Sequence, residues 1–173
     1  MKYGEARVIW IMGPTSSGKT TVARALAGRL RDLGLPVLHY DGDEVRDFFG
    51  PALGFAPEDR QRVVQTICHL ANKARQAGIW VVVSALTAHP QARELVHASV
   101  ERLLVASIRC PIEECCRRDP KGLYRKAKDG EIDTLIGFNS CYEPPTRFDI
   151  ELDTLAEGPE ELAGRVLAKL AAA

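Results

Sequence analysis

The chain has 173 residues, 46% hydrophobic and 27% charged, enough for one domain with a sizeable core. Lys plus Arg and Asp plus Glu balance at 23 each, so no basic excess argues for nucleic acid and the expected partner is a small molecule. No apolar run approaches the roughly 20 residues that span a bilayer, and Met1-Lys2-Tyr3-Gly4-Glu5 leads into the first strand without a signal-like core; no membrane partner and a cytoplasmic location are expected.

In chain order, the first predicted strand is 7–12, where Val8-Ile9-Trp10-Ile11-Met12 is the short apolar run of a strand buried on both faces. Directly after it, Gly13-Pro14-Thr15-Ser16-Ser17-Gly18-Lys19-Thr20 matches G-x-x-x-x-G-K-[ST]. A helix over 19–33 follows, with Val22, Ala23, Leu26, Ala27 and Leu30 at helical spacing and Gly34 and Pro36 at its end. The glycines clear backbone N–H groups for a polyphosphate, Lys19 is a mobile cation, Thr20 offers a hydroxyl to Mg²⁺, and the helix N-terminus favours an anion. Gly13, Ser16, Ser17, Gly18, Lys19, Thr20 and Thr21 are the candidate contacts for ATP, and Thr20 is a candidate metal ligand.

The strand 37–41 ends in Asp41-Gly42-Asp43, with Arg46 beyond it. The glycine lets the backbone turn tightly so that both acids face one site. Asp43 is the candidate base or metal ligand and Asp41 its support; the competing reading is that Asp43 only caps a helix. A helix near 58–77 and a strand over 79–84 follow. That strand ends in Ser84, where many phosphate-loop ATPases carry a Mg²⁺-organising aspartate, so the acidic role falls to Asp41 and Asp43, as in a small-molecule kinase. There is no Asn-Lys-x-Asp guanine-reading motif, which leaves adenine as the expected base.

Further helices and strands are predicted near 90–99, 103–109, 111–117, 150–154 and 159–171. The alternation implies an α/β fold, a parallel sheet covered by helices on both faces, with ligands at the carboxyl ends of the strands. His89 falls near that site, although a solvated loop histidine is the simpler reading. The five cysteines, at 68, 110, 115, 116 and 141, lack metal spacing and a paired framework, so reduced thiols are expected. Arg117-Arg118-Asp119-Pro120-Lys121-Gly122-Leu123-Tyr124-Arg125 has the composition of a mobile basic lid over a transferring phosphoryl group; the competing reading is a solvated basic loop. Tyr142 and Phe148 pack against a base or close the sheet; both readings stay open.

The phosphate loop, Asp41-Gly42-Asp43 with Arg46, Leu53-Gly54-Phe55, Asp59-Arg60, Lys121-Gly122-Leu123-Tyr124, Gly130-Glu131-Ile132 and Tyr142-Glu143 occur in the order and spacing of adenylylsulfate kinases, which the chain resembles over nearly its whole length. The resemblance implies a three-layer nucleotide-kinase-like domain over 1–173, with a five-stranded parallel sheet and a lid near 118–142. It also implies transfer of the ATP γ-phosphate to the 3′-hydroxyl of adenosine 5′-phosphosulfate, a step of sulfate activation. By the same resemblance, Lys19 and Thr20 serve ATP and Mg²⁺, and Asp43 serves the acceptor hydroxyl or the metal. Arg46, Phe55, Arg60, Ser84, Lys121, Leu123 and Tyr124 serve the acceptor, Arg118 lies near the ATP adenine, and a homodimer is expected.

Three positions depart from the family pattern on the acceptor side: Val63 where an amide is usual, Thr87 in place of a second serine, and Leu135 in place of an aromatic. They keep two alternatives open, a kinase for another nucleotide with a modified diphosphate and a non-catalytic nucleotide-binding protein.

Overall fold

The computed structural model describes residues 4–172; the reading made on Met1-Lys2-Tyr3 lies outside them. The sheet contains β1 (Val8–Met12), β2 (Val37–Asp41), β3 (Trp80–Ala85), β4 (Leu103–Arg109) and β5 (Ile150–Asp153), all parallel, in the order β2-β3-β1-β4-β5. This is the expected α/β architecture. Because successive strand residues face opposite ways, Ile9 and Ile11 point to one core and Val8, Trp10 and Met12 to the other. On the first face, α1 (Lys19–Asp32) and α7 (Pro159–Ala171) bury Leu26, Leu30, Leu162 and Val166. On the second, α3 (Pro57–Gln76) and α4 (Pro90–Ser99) bury Ile67, Ala71 and Val96.

β1 is buried along its full length because it lies in the middle of the sheet, between β3 and β4. The chain leaves β1 toward one edge and returns later to build the other, which opens a crevice at the carboxyl ends of the strands around β1. The phosphate loop lies there.

Two helices lie beyond the predicted elements: α2 (Gly42–Phe48), which only the competing reading at Asp43 allowed for, and, after α5 (Ile112–Arg118), the lid helix α6 (Leu123–Lys128). Neither carries a readable apolar stripe. α2 buries no residue and α6 only Tyr124 and Ala127. Gly42 takes no left-handed conformation. Its constraint is space: a Cβ there would come within 3.2 Å of Ala85 Cβ and 3.3 Å of Ala85 Cα, so glycine lets α2 start against the end of β3. Among the described residues, no helix is long and apolar enough to cross a membrane.

Candidate active site

A cavity of about 1030 Å³ runs across the strand ends, from Arg118 and Thr154 on one side to Phe55, Arg60 and Leu135 on the other. The phosphate loop forms its floor. Ser16 at φ 63° and Gly18 at φ 93° put left-handed turns into the loop, a geometry that turns successive N–H groups to one side. Gly13 is needed for packing, because a Cβ there would lie 2.8 Å from Ile108 Cβ on β4. Gly13 and Ser17 are buried beneath the loop and do not line the cavity, so what they offer a phosphate is backbone. Ser16, Gly18, Lys19, Thr20 and Thr21 do line it.

Lys19 is half-buried, and its Nζ donates to the Pro14 carbonyl over 2.6 Å. Burial lowers its pKa to about 8, against the opposing pull of Asp43 and Asp41. Asp41 is the N-cap of α2: its Oδ1 accepts from the Asp43 N–H over 3.0 Å. The capping aspartate is therefore Asp41, and the Asp43 side chain points free of the helix end. Asp41 Oδ2 accepts from Thr20 Oγ1 over 2.6 Å and from Ser84 Oγ over 2.8 Å. Burial pushes the Asp41 carboxyl up, but these three hydrogen bonds and Lys121 outweigh it and hold the group below its ordinary range. Since Asp41 pairs in register with Ser84, the acid missing from the end of β3 is supplied one strand over.

The same arrangement decides whether Mg²⁺ suits the site. The Thr20 proton is directed to Asp41, which leaves the hydroxyl lone pairs for a cation. Among the described residues no group of three or more His, Cys, Asp or Glu could cage a metal. Mg²⁺ characteristically uses one or two protein oxygens together with substrate phosphates, so a lone hydroxyl with nearby carboxylates is a suitable donor set.

On the opposite wall, the Arg46 guanidinium stands 4.5 Å from the centre of the Phe55 ring and that of Arg60 5.5 Å, and Phe55 is 51% exposed. Arg46 donates to the Gly54 carbonyl, and Arg60 to the carbonyls of Phe55 over 3.0 Å and Thr134 over 2.8 Å. Arg60 thereby ties the start of α3 to the later part of the lid segment. Val63 and Leu135 are buried in the same wall, and His89 also lines it.

From the lid, Lys121 reaches across to pair with Asp43. That hydrogen bond, with the surrounding carboxylates, raises the Lys121 pKa despite partial desolvation. Leu123 lines the cavity as expected, whereas Tyr124 does not. The turn of α6 puts Tyr124 on the inward face with Ala127, 3% exposed, where its hydroxyl donates to the Thr15 carbonyl over 3.3 Å. It braces the phosphate loop from behind, and burial raises its pKa. Arg118 crosses the end of β5, donating to Glu114 Oε1 over 2.7 Å, to Thr154 Oγ1 over 3.2 Å and to the Thr154 carbonyl over 2.9 Å.

Several contributors escaped the sequence reading. Thr154, just past β5, donates to the Ser17 carbonyl over 2.9 Å, and the strand-end rule alone could have singled it out. Arg93 on α4 donates to the carbonyls of Thr87, Ala88, Glu143 and Pro144, joining the loop after β3 to the segment after the lid; one arginine in a helix gives no sequence cue to that. Thr87, left-handed at φ 44°, is buried and accepts from Trp10 Nε1 over 3.0 Å, so it packs the loop from beneath. Burial pushes the Cys68 and Cys115 thiols up to about 12, which suits inert core positions.

The adenylylsulphate kinase family model matches residues 5–153. The chain is 39% identical over 163 residues to an adenylyl-sulfate kinase of Chloroflexus aurantiacus, covering 94% of this chain and 88% of that one. It is 40% identical over 147 residues to a probable adenylyl-sulfate kinase of Archaeoglobus fulgidus, covering 85% and 95%. Its fold is similar to that of the Mycobacterium tuberculosis APS kinase CysC solved with AMPPNP and APS, with a TM-score of 0.89, 29% identity and coverage of 96% and 98%.

Proposed function

Because this chain belongs to the adenylylsulphate kinase family, we infer that the cavity is where the γ-phosphate of ATP passes to the 3′-hydroxyl of adenosine 5′-phosphosulfate. The observation that carries the site assignment is the meeting of two structures in one cavity: the phosphate loop with its Thr20–Asp41 pair, and an exposed Phe55 flanked by Arg46 and Arg60.

On the donor side, the loop N–H groups and Lys19 hold the triphosphate, and Arg118 lies toward the adenine. Mg²⁺, when bound through Thr20 with Asp43 at hand, neutralises charge on the phosphate oxygens. On the acceptor side, Phe55 stacks on the purine and Arg46 and Arg60 pair with phosphosulfate oxygens. Asp43 accepts the proton of the 3′-hydroxyl as its oxygen bonds to the γ-phosphorus and the bond to the β-phosphate oxygen breaks. Lys121, paired with that carboxylate from a lid over about 118–142, holds it in position and helps exclude water. A homodimer is the assembly we propose, on the family likeness alone, and a cytoplasmic location suits an ATP-consuming chain with five free cysteines.

A second reading is favoured by one observation: Val63 and Leu135, 6% and 7% exposed, make part of the acceptor wall apolar. An acceptor that needs an amide there is weakened by about 1–3 kcal/mol, which opens the site to a different nucleotide with a modified diphosphate. The test is ADP release from ATP and Mg²⁺ across a panel of acceptors. Release that depends on adenosine 5′-phosphosulfate supports the first reading, release only with another nucleotide supports the second, and nucleotide binding without turnover overturns both.

A further inference from the structure

Asp41 is fastened from a second side, and that fastening leads to a residue with no part in the scheme above. Along the edge strand β2 the period of two puts His39 and Asp41 on one face, while Ser84 of β3 stands opposite Asp41 in register. His39 Nε2 lies 2.9 Å from Ser84 Oγ; Ser84 Oγ donates to Asp41 Oδ2 over 2.8 Å, and Thr20 Oγ1 donates to the same oxygen over 2.6 Å. A serine hydroxyl has a single proton, and here it is directed to Asp41. His39 must then donate to Ser84 through Nε2–H, which assigns its tautomer and makes the chain directional from His39 through Ser84 to Asp41, where Thr20 also ends.

We propose that His39 is a positioning residue for the metal-bound nucleotide: by holding the Ser84 hydroxyl in one rotamer it keeps Asp41 Oδ2 aimed at Thr20, so that the Thr20 proton stays directed to Asp41 and the hydroxyl lone pairs stay free for the cation. The proposal rests on the ATP and Mg²⁺ reading above. Without the His39 donor, the Ser84 hydroxyl can turn to other acceptors, Asp41 loses a directed bond, and the Thr20 hydroxyl loses its fixed orientation. The loop N–H groups, Lys19 and the acceptor wall are untouched. The effect therefore falls on the part of nucleotide affinity that depends on Mg²⁺, and leaves metal-free affinity alone.

The experiment is calorimetric titration of a non-hydrolysable ATP analogue with and without Mg²⁺, with melting temperatures recorded alongside. The ratio of the two Kd values measures the coupling between metal and nucleotide. His39→Phe is expected to cut that ratio about three- to tenfold, Ser84→Ala by a similar factor, and the double variant no further than either alone. His39→Gln, which retains an N–H donor, is expected to restore most of the loss, and metal-free Kd is expected to stay within about twofold throughout. A wild-type ratio in His39→Phe and Ser84→Ala overturns the proposal and leaves His39 a structural residue, as does a matching loss of metal-free affinity. If His39→Phe does not fold, His39→Gln and Ser84→Ala carry the comparison. Thr20→Ala separates the two levels: coupling lost there but intact in the His39 and Ser84 variants rejects only the His39 role, whereas coupling intact in Thr20→Ala rejects the ATP and Mg²⁺ reading itself.

Discussion

The donor half of the cavity rests on the carboxyl ends of the strands, whereas the acceptor half hangs on α2, the start of α3 and the lid. Gly13 sits against Ile108 of β4, the Ser17 carbonyl is held by Thr154 beyond β5, and Thr15 by the buried Tyr124. Opposite them, Phe55 is 51% exposed, and Lys121 and Asp43 pair with side chains 56% and 68% exposed. An ion pair so open to water is worth little to stability. The difference is one of preorganisation: the donor half has its geometry before a nucleotide arrives, while the acceptor half has few buried contacts to prevent rearrangement around a ligand.

That contrast can be broken at its strongest point first. Lys19→Ala is expected to lower kcat about a thousandfold, since it removes charge from the transferring phosphates, and a near-normal steady-state rate would remove the phosphate loop from the chemistry. Asp43→Asn comes next, with kcat down about a hundredfold and the KM for ATP within about threefold. Should kcat stay put, Asp43 does no more than pair with Lys121. Phe55→Ala sharpens the division between halves: the KM for the acceptor should rise about tenfold while that for ATP stays constant, and a parallel rise in both would show that the halves are not independent.

The smallest effect is a fraction of a proton. Burial brings the Lys19 pKa down from 10.5 to about 8, so at about pH 8.5 most of the free protein carries the neutral amine. Phosphate charge raises that pKa again, so nucleotide binding must take up a proton at about pH 8.5 and almost none at about pH 6.5. Calorimetry in buffers of different ionisation enthalpy reads this directly. Lys19→Arg should show no such uptake, because a guanidinium stays charged throughout.

How much of this was legible depended on whether a signal is local. The phosphate loop declares itself because spacing alone carries its chemistry, and α1 and α3 because their buried residues recur every three or four positions. α2 and α6 gave no such period, being about two turns long and packed by few residues. Tyr124 was misplaced for the same reason: without the helix there was no way to tell that it faces inward while Leu123 faces the cavity. Asp41 and Asp43 were found together, but which of them caps α2 needed the backbone.

By itself, the sequence determined the βα alternation, the phosphate loop and the family to which the chain belongs, because each is written in residues near one another or in motifs in fixed order. Only the tertiary structure decided that, of the two acids, Asp41 is the one held beside Ser84 at the end of β3, that Thr154 and Tyr124 brace the loop, that Arg93 ties two distant segments, and that His39 stands behind Ser84. Each of these joins side chains and carbonyls from different elements. Parallel pairing of β2 with β3 brings Asp41 and Ser84 side by side from 43 residues apart, and no local pattern encodes that register.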